Sequence, residues 1–341
     1  MKKAFFINGG AGRVLCALPA LEFYKQNTDQ DVVIVSEAWQ ELFFASPVIR
    51  NNVWPVGHKG LFEEKLKDKD LVSPEPYRLN AYFNQKVNLV QAFDMLINNL
   101  QEIPEPKKFN LEINKVDQVY GHNLVNQVKS QFGKPKTVVF QPFGAGVTKE
   151  GNFIIDPSGR SFELRDVFRI VEELGKHYSV IVMANIEVPT TKQMPAAMPT
   201  ANMLQWMGII NASDYFLGCD SMGQHYAHAL NKPATVVTGA TFPENISYPY
   251  NKDFTIIDNG KEKRKYSPIR ITQDFIADRE NEDSMILQDK TFDKIIKSVT
   301  DKLGKTKQKD TKFEPVVDAH VHTASCEHAA TPPFTKKQVL V

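Results

Sequence analysis

Three short segments carry residue types and spacings that do chemistry. Asn8-Gly9-Gly10-Ala11-Gly12-Arg13 stands where an apolar run passes into a helical pattern, a place where backbone N–H groups hold an anion or permit close helix packing. The spacing Gly10-x-Gly12 lacks the third glycine of a dinucleotide fingerprint, because Leu15 stands there, and Glu37 is the one acidic residue near the end of the second apolar run. A nicotinamide cofactor is therefore disfavoured. Gly144-Ala145-Gly146 is a second glycine turn, with Lys149 and Arg160 downstream before a helical pattern. Glycine turn and cations read either as a diphosphate site or as a loop with solvated charges. The third segment, Asp220-Ser221-Met222-Gly223-Gln224-His225, follows the apolar run Tyr215–Gly218 and leads into a helix that also carries His228. Ser221 and Gly223 would offer a hydroxyl and N–H groups to an anion, and Asp220 an acceptor to a sugar hydroxyl. His225 and His228 share a helix face, but without a Cys or further carboxylate nearby they predict no metal. One histidine is expected against the ligand and one in the core.

The elements that must position these groups follow from hydrophobic period. Lys3–Asn8 is a strand, Val14–Tyr24 a helix with Pro19 as a kink or delay, Asp31–Val35 a strand, and apolar character returns at Val53–Val56. Gly57–Arg78 reads as irregular loop and surface helix, and Tyr82–Leu100 as one long helix. The pattern restarts after Gly133 with a strand at Thr137–Gln141, a helix at Phe162–Lys176 opened by Ser158 or Ser161, and a strand at Ser179–Met183. A helix at Ala201–Ala212, a strand at Tyr215–Gly218, a helix at Met222–Leu230, a strand at Pro233–Val237 and an amphipathic helix around Phe292–Leu303 complete it. Two successive runs of alternating strand and helix predict an α/β protein with two Rossmann-like, doubly wound domains: residues 1–132, residues 133–304, and a linker and tail at 305–341.

Composition narrows the partners. The 341 residues are 42% hydrophobic, 10% aromatic and 24% charged, and 41 Lys and Arg against 40 Asp and Glu leave a formal charge of +1. No global field favours nucleic acid or an anionic membrane, so at most a peripheral membrane association is expected. Three well-separated cysteines, Cys16, Cys219 and Cys326, suit a reducing compartment, and no uncharged apolar stretch approaches about 18 residues, so the expected location is the cytoplasm. In the tail, Asp318-x-His320-x-His322 and Cys326-x-His328 hold enough ligands for zinc, yet only nineteen residues follow His322, too few for a hydrolase barrel. A polar tail is the expectation.

Residues 8–15 together with Leu18-Pro19-Ala20-Leu21 resemble the amino-terminal motif of glycosyltransferase family 9, the ADP-heptose:lipopolysaccharide heptosyltransferases. Residues 220–225 with Ala229-Leu230 resemble its second signature, and the resemblance spans about Lys3 to Tyr250. It implies a GT-B architecture with an inter-domain cleft and inverting, metal-independent transfer from a nucleotide-sugar donor to a glycan acceptor, without a cofactor. It also implies that Arg160 meets the donor diphosphate, Glu187 the ribose, Trp206 and Met207 the base, and Asp220, Ser221, Gly223 and His225 the phosphate and sugar, beside the Gly144–Gly146 turn. Gly9, Gly10, Ala11, Gly12 and Arg13 would form the acceptor side. The family commonly has Asp at the position of Arg13 as a general base, and arginine stays protonated. Either Glu37 has taken over the base, or activity is lost, or Arg13 binds an anionic ligand. The alternatives to a transferase are an inactive nucleotide- or glycan-binding protein of the same fold and a sugar-nucleotide epimerase.

Overall fold

The computed structural model describes residues 2–151, 153–188, 195–264 and 283–305, all within one compact unit spanning Met1–Gln308. The expected tail, with its His and Cys motif, lies outside the described residues. In the first half the order is β1 (Lys2–Ile7), α1 (Ala11–Asn27), β2 (Val33–Ser36), α2 (Gln40–Phe44), β3 (Val53–Pro55), β4 (Lys69–Val72), α3 (Asn80–Phe83), α4 (Leu89–Ile97) and α5 (Lys115–Phe132). The second half adds β5 (Thr137–Gln141), a hairpin of β6 (Thr148–Glu150) and β7 (Phe153–Ile155), α6 (Leu164–Gly175), β8 (Ser179–Val182), β9 (Ala196–Ala197), α7 (Met203–Ala212) and β10 (Tyr215–Cys219). It ends with α8 (Met222–Ala229), β11 (Ala234–Thr238), α9 (Pro243–Ile246), β12 (Phe254–Asp258) and α10 (Asp289–Leu303).

Two parallel sheets result, flanked by helices, as the alternating pattern requires. The first has strand order β3-β2-β1-β4 and the second β12-β11-β10-β5-β8-β9. In the first sheet the chain moves outward from β1 to β2 and β3, then crosses back to pair β4 on the other side of β1, with Ala4 opposite both Val33 and Leu71. In the second, β5 pairs β8 on one side and β10 on the other. Each sheet therefore reverses direction at its first strand, and the loops after parallel strands gather along one edge.

Local physics explains where the elements depart from the sequence expectations. β4 lies inside the stretch expected to be loop and surface helix. As an edge strand with the sequence KDLV, and with Leu71 58% exposed, it has none of the buried character by which a parallel strand is recognised. The single helix expected over Tyr82–Leu100 is two, because Asn88 starts a fresh one. Its side chain accepts the Gln91 N–H at 3.0 Å while Gln91 Oε1 accepts the Asn88 N–H at 3.0 Å, a reciprocal cap. The same device at Asn202 and Gln205 sets the start of α7. Neither Ser158 nor Ser161 caps α6, whose cap residue is Glu163, since both serines are held by Asp156. Pro19 interrupts nothing: α1 runs through it.

The sheets share a core. Phe5, Leu15, Leu18 and Phe93 from the first half join Ile209, Phe216, Met222 and Tyr226 from the second in one continuous cluster, while Phe140, Val167, Val180 and Leu217 fill the other face of the second sheet. α5 lies against α7 at backbone contact. A Cβ on Gly121 would sit 2.2 Å from the Gly208 carbonyl oxygen, and one on Gly208 would sit 2.1 Å from that of Asp117. Buried Asn245 bridges the halves, donating to the carbonyls of Tyr82 at 2.8 Å and Val87 at 3.1 Å.

Gly121→Ala is therefore expected to cost about 3 kcal/mol or more, because backbone must move. Gly133→Ala, at φ +65° with open space around it, is expected to cost about 1 kcal/mol from the left-handed backbone alone. Urea denaturation of the two variants measures the difference, and equal costs would contradict the close packing of α5 on α7.

Candidate functional site

In an open parallel sheet the ligand crevice lies at the carboxyl edge where strand order reverses, because the loops on either side of that point turn away from each other. The two reversal points here are β1/β4 and β5/β10, and the segments with chemical character fall on both. Gly9–Gly12 follows β1 and Pro74–Tyr77 follows β4. Gln141–Gly146 follows β5 and Asp220–Gly223 follows β10.

At the first point Gly9 takes φ +91°, which a residue with a Cβ rarely adopts, and this lets the chain turn from β1 into α1. Arg13, in the first turn of α1, does not reach open solvent. Its guanidinium donates to Pro74 O at 3.0 Å and to both carboxylate oxygens of Glu75 at 3.3 to 3.4 Å. It also lies 5.1 Å from the Tyr77 ring centroid and 5.7 Å from that of Phe93, a packed cation of the kind aromatic faces attract. Glu75 accepts the Tyr77 N–H as well, at 3.3 Å. Glu37 is exposed beyond β2, away from the reversal point.

At the second point two polar residues build the loops. Gln141 closes the gap between β5 and β10: its Nε2 donates to Ser221 Oγ at 2.9 Å and its Oε1 accepts the Gly223 N–H at 2.9 Å. A Cβ on Gly223 would lie 2.3 Å from that Oε1, so glycine is required there. Asp156 gathers the loop before α6, accepting from the N–H and hydroxyl of Ser158 at 2.8 and 2.5 Å and of Ser161 at 3.0 and 2.5 Å. Ser161 Oγ in turn accepts the Gly144 N–H at 2.9 Å, tying the glycine turn to the same carboxylate. Ala145 is exposed, and Gly146 leaves a Cβ position only 2.9 Å from Asp156 Oδ1.

Arg160 stands between these loops. Its Nε donates to Ser158 Oγ at 3.0 Å, and among the described residues it forms no ion pair. Burial works to lower its pKa, but the nearby carboxylates of Asp220 and Asp156 outweigh burial and the net shift is upward. A charged guanidinium is thus held in a largely desolvated place. Asp220 is itself buried and accepts from Gln224 Nε2 at 2.9 Å.

The two points are brought together where α1 meets α8. A Cβ on Gly12 would lie 3.1 Å from the His225 ring. His225 is 5% exposed, its Nδ1 is 2.6 Å from Tyr248 Oη, and Cys16 Sγ is 3.5 Å from the same nitrogen. Burial, with a smaller contribution from His228, lowers the His225 pKa to about 3. Burial lowers that of His228 to about 4, and His228 stacks on Tyr248 with centroids 3.7 Å apart. Both histidines are neutral packing groups, where one had been expected against the ligand. Trp206 and Met207 likewise lie in the core, the indole N–H donating to Ala201 O at 3.1 Å. Glu187 is exposed and pairs with Lys149 at 3.3 Å. Gly144, Ala145, Gly146, Arg160, Asp220, Ser221 and Gly223 come together; Glu187 reaches Lys149 on the hairpin after that glycine turn, Glu37 is exposed beyond β2, and Trp206 and Met207 are in the core. Gln141, Asp156 and Glu75 were missed. Asp156-Pro157-Ser158 carried an Asx-turn signal and Gln141 was a polar end to an apolar strand, but nothing marked Glu75.

Among the described residues no group of three or more His, Cys, Asp or Glu is placed to hold a metal ion, and no helix is long and apolar enough to cross a membrane. No protein-family model and no curated protein sequence matches the chain. Solved structures do match its fold. The ADP-heptose lipopolysaccharide heptosyltransferase II of E. coli superposes with a TM-score of 0.60 at 14% identity, covering 89% of this chain and 98% of that one. A glycosyltransferase of family 9 from Veillonella parvula DSM 2008 gives 0.53 at 12% identity, covering 89% and 97%. The iron-containing dodecameric glycosyltransferase TibC of enterotoxigenic E. coli H10407 gives 0.54 at 11% identity, covering 89% and 78%. The fold is that of the GT-B heptosyltransferases, as the sequence motifs implied.

The buried histidines set an acid limit on stability. A folded-state pKa near 3 against an ordinary value of 6.5 means that His225 stabilises the fold above pH 6.5 and loses that contribution as pH falls. Between pH 6.5 and 4.5 the loss from this one residue is expected to be about 2 kcal/mol. Chemical denaturation at the two pH values should show a smaller drop in His225→Gln than in the parent, and an equal drop would contradict the assignment.

Proposed function

We propose that the chain is a glycosyltransferase that moves a sugar from a nucleotide-sugar donor, ADP-heptose-like or another nucleoside diphosphate sugar, to a hydroxyl of a glycan or other acceptor. The transfer inverts the anomeric centre and uses neither metal nor cofactor, and the protein works in the cytoplasm. The observation that carries this is Arg160, a half-buried cation without a carboxylate ion-pair partner among the described residues, beside a glycine turn at the reversal point of the second sheet. Departure of a nucleoside diphosphate develops negative charge on its oxygens, and a half-buried guanidinium with nearby backbone and hydroxyl donors stabilises that charge. The fold likeness to heptosyltransferases supports the same assignment, and TibC has been solved in complex with ADP-D-β-D-heptose. The second reading, a protein that binds nucleotide without turnover, draws on Arg13, which fills the amino-terminal loop with a group unable to act as a base.

Calorimetric titration with ADP, UDP and GDP tests the donor site. At least one nucleotide should bind, and Arg160→Ala should weaken it about 10- to 100-fold, the loss expected for hydrogen bonds to a charged group. Undiminished affinity in that variant, or no binding of any nucleotide, contradicts the proposal.

A further inference from the structure

Resting on the glycosyltransferase reading, we propose that Glu75 is the carboxylate that takes the proton from the acceptor hydroxyl, and that Arg13 positions it. Two carboxylates follow strands of the first sheet at its carboxyl edge, Glu37 directly after β2 and Glu75 in the loop after β4. The sheet reverses between β1 and β4, so the crevice opens beside Glu75, whereas Glu37 stands on the other side of β1. The helix that carries Arg13 also reaches the second sheet: the Cβ position of Gly12, one residue before Arg13, lies 3.7 Å from Met222 Cα at the start of α8. The Glu75 loop, held to α1 through Arg13, and the Asp220 loop, which opens α8, are therefore brought toward each other, and the proposal places the sugar of a diphosphate held by Arg160 between them.

The contacts of Glu75 hold its carboxylate at the end of α1. Arg13 Nη1 and Nη2 and the Tyr77 N–H approach its oxygens at 3.3 to 3.4 Å, beyond the usual 2.7 to 3.2 Å range. They orient the carboxylate. Arg13 is fixed independently by Pro74 O and the Tyr77 and Phe93 rings, so the fork stays in place when Glu75 gains the proton.

The step balances without an outside reagent. The acceptor oxygen forms a bond to the anomeric carbon as its proton passes to a Glu75 oxygen. The bond from that carbon to the diphosphate oxygen breaks, its electron pair leaves with the nucleoside diphosphate, and Glu75 afterwards returns the proton to solvent.

The test measures nucleoside diphosphate released from ADP-, UDP- and GDP-sugars, with water and with added oligosaccharides as acceptors, alongside nucleotide affinity and melting temperature. Glu75→Gln should lower kcat about 100- to 10,000-fold, leave the nucleotide Kd within about twofold and abolish the acid limb of the pH–rate profile, a change that a loss of packing does not produce. Should Glu75→Gln fail to fold, Glu75→Asp keeps the charge but withdraws it by one methylene, and kcat should fall at least tenfold at unchanged nucleotide Kd. Retention of kcat and of the acid limb in the folded variant overturns the assignment. So does loss of that limb in Glu37→Gln while Glu75→Gln retains it, and so does a wild-type protein that binds nucleotide yet releases none from any donor. Failure to bind any nucleotide instead removes the donor site, and with it the reading on which Glu75 depends.

Discussion

Everything at the cleft depends on how closely α1 approaches α8. Gly12 provides the room, and the neutral ring of His225 fills it, held by Tyr248 and lying against Cys16. Because the first turns of these two helices issue from the reversal points of the two sheets, bringing them together sets the glycine turn after β1 beside the Asp220 loop. The ring is buried, which is why protonating His225 is so unfavourable. The same shared core makes α5, α7 and Asn245 part of one interlocked body.

The two reversal points treat their arginines differently. Arg13 is paired with Glu75 and packed between Tyr77 and Phe93. Arg160 has two carboxylates near it, Asp156 and Asp220, yet Asp156 is occupied by two serines and Asp220 accepts from Gln224. The carboxylates favour the charged form of Arg160.

The order of elements in the second half was legible because its strands are buried on both faces and its helices are strongly amphipathic, as Val167, Val171 and Leu174 of α6 show. The loops at the second reversal point were legible too, since glycine, serine and aspartate are used there for their own local chemistry. What failed were the features that depend on distant partners. β4 is a strand only because β1 pairs with it. Glu75 matters only because Arg13, sixty-two positions earlier, grips it. Trp206 and His225 look like ligand contacts by type and position, but packing across the two halves claims both. Sequence period reports burial along one element and is silent about which element covers it.

The central claim is that a nucleoside diphosphate binds at the reversal point of the second sheet, between the Gly144 turn, Arg160 and the Asp220 loop. Amide hydrogen exchange in the presence of saturating ADP or UDP addresses it most directly. Slowed exchange at residues 141–146, 156–161 and 219–224, with little change in the β12–α10 region, is the predicted pattern. Binding that protects some other part of the chain and leaves those three segments unchanged would contradict it.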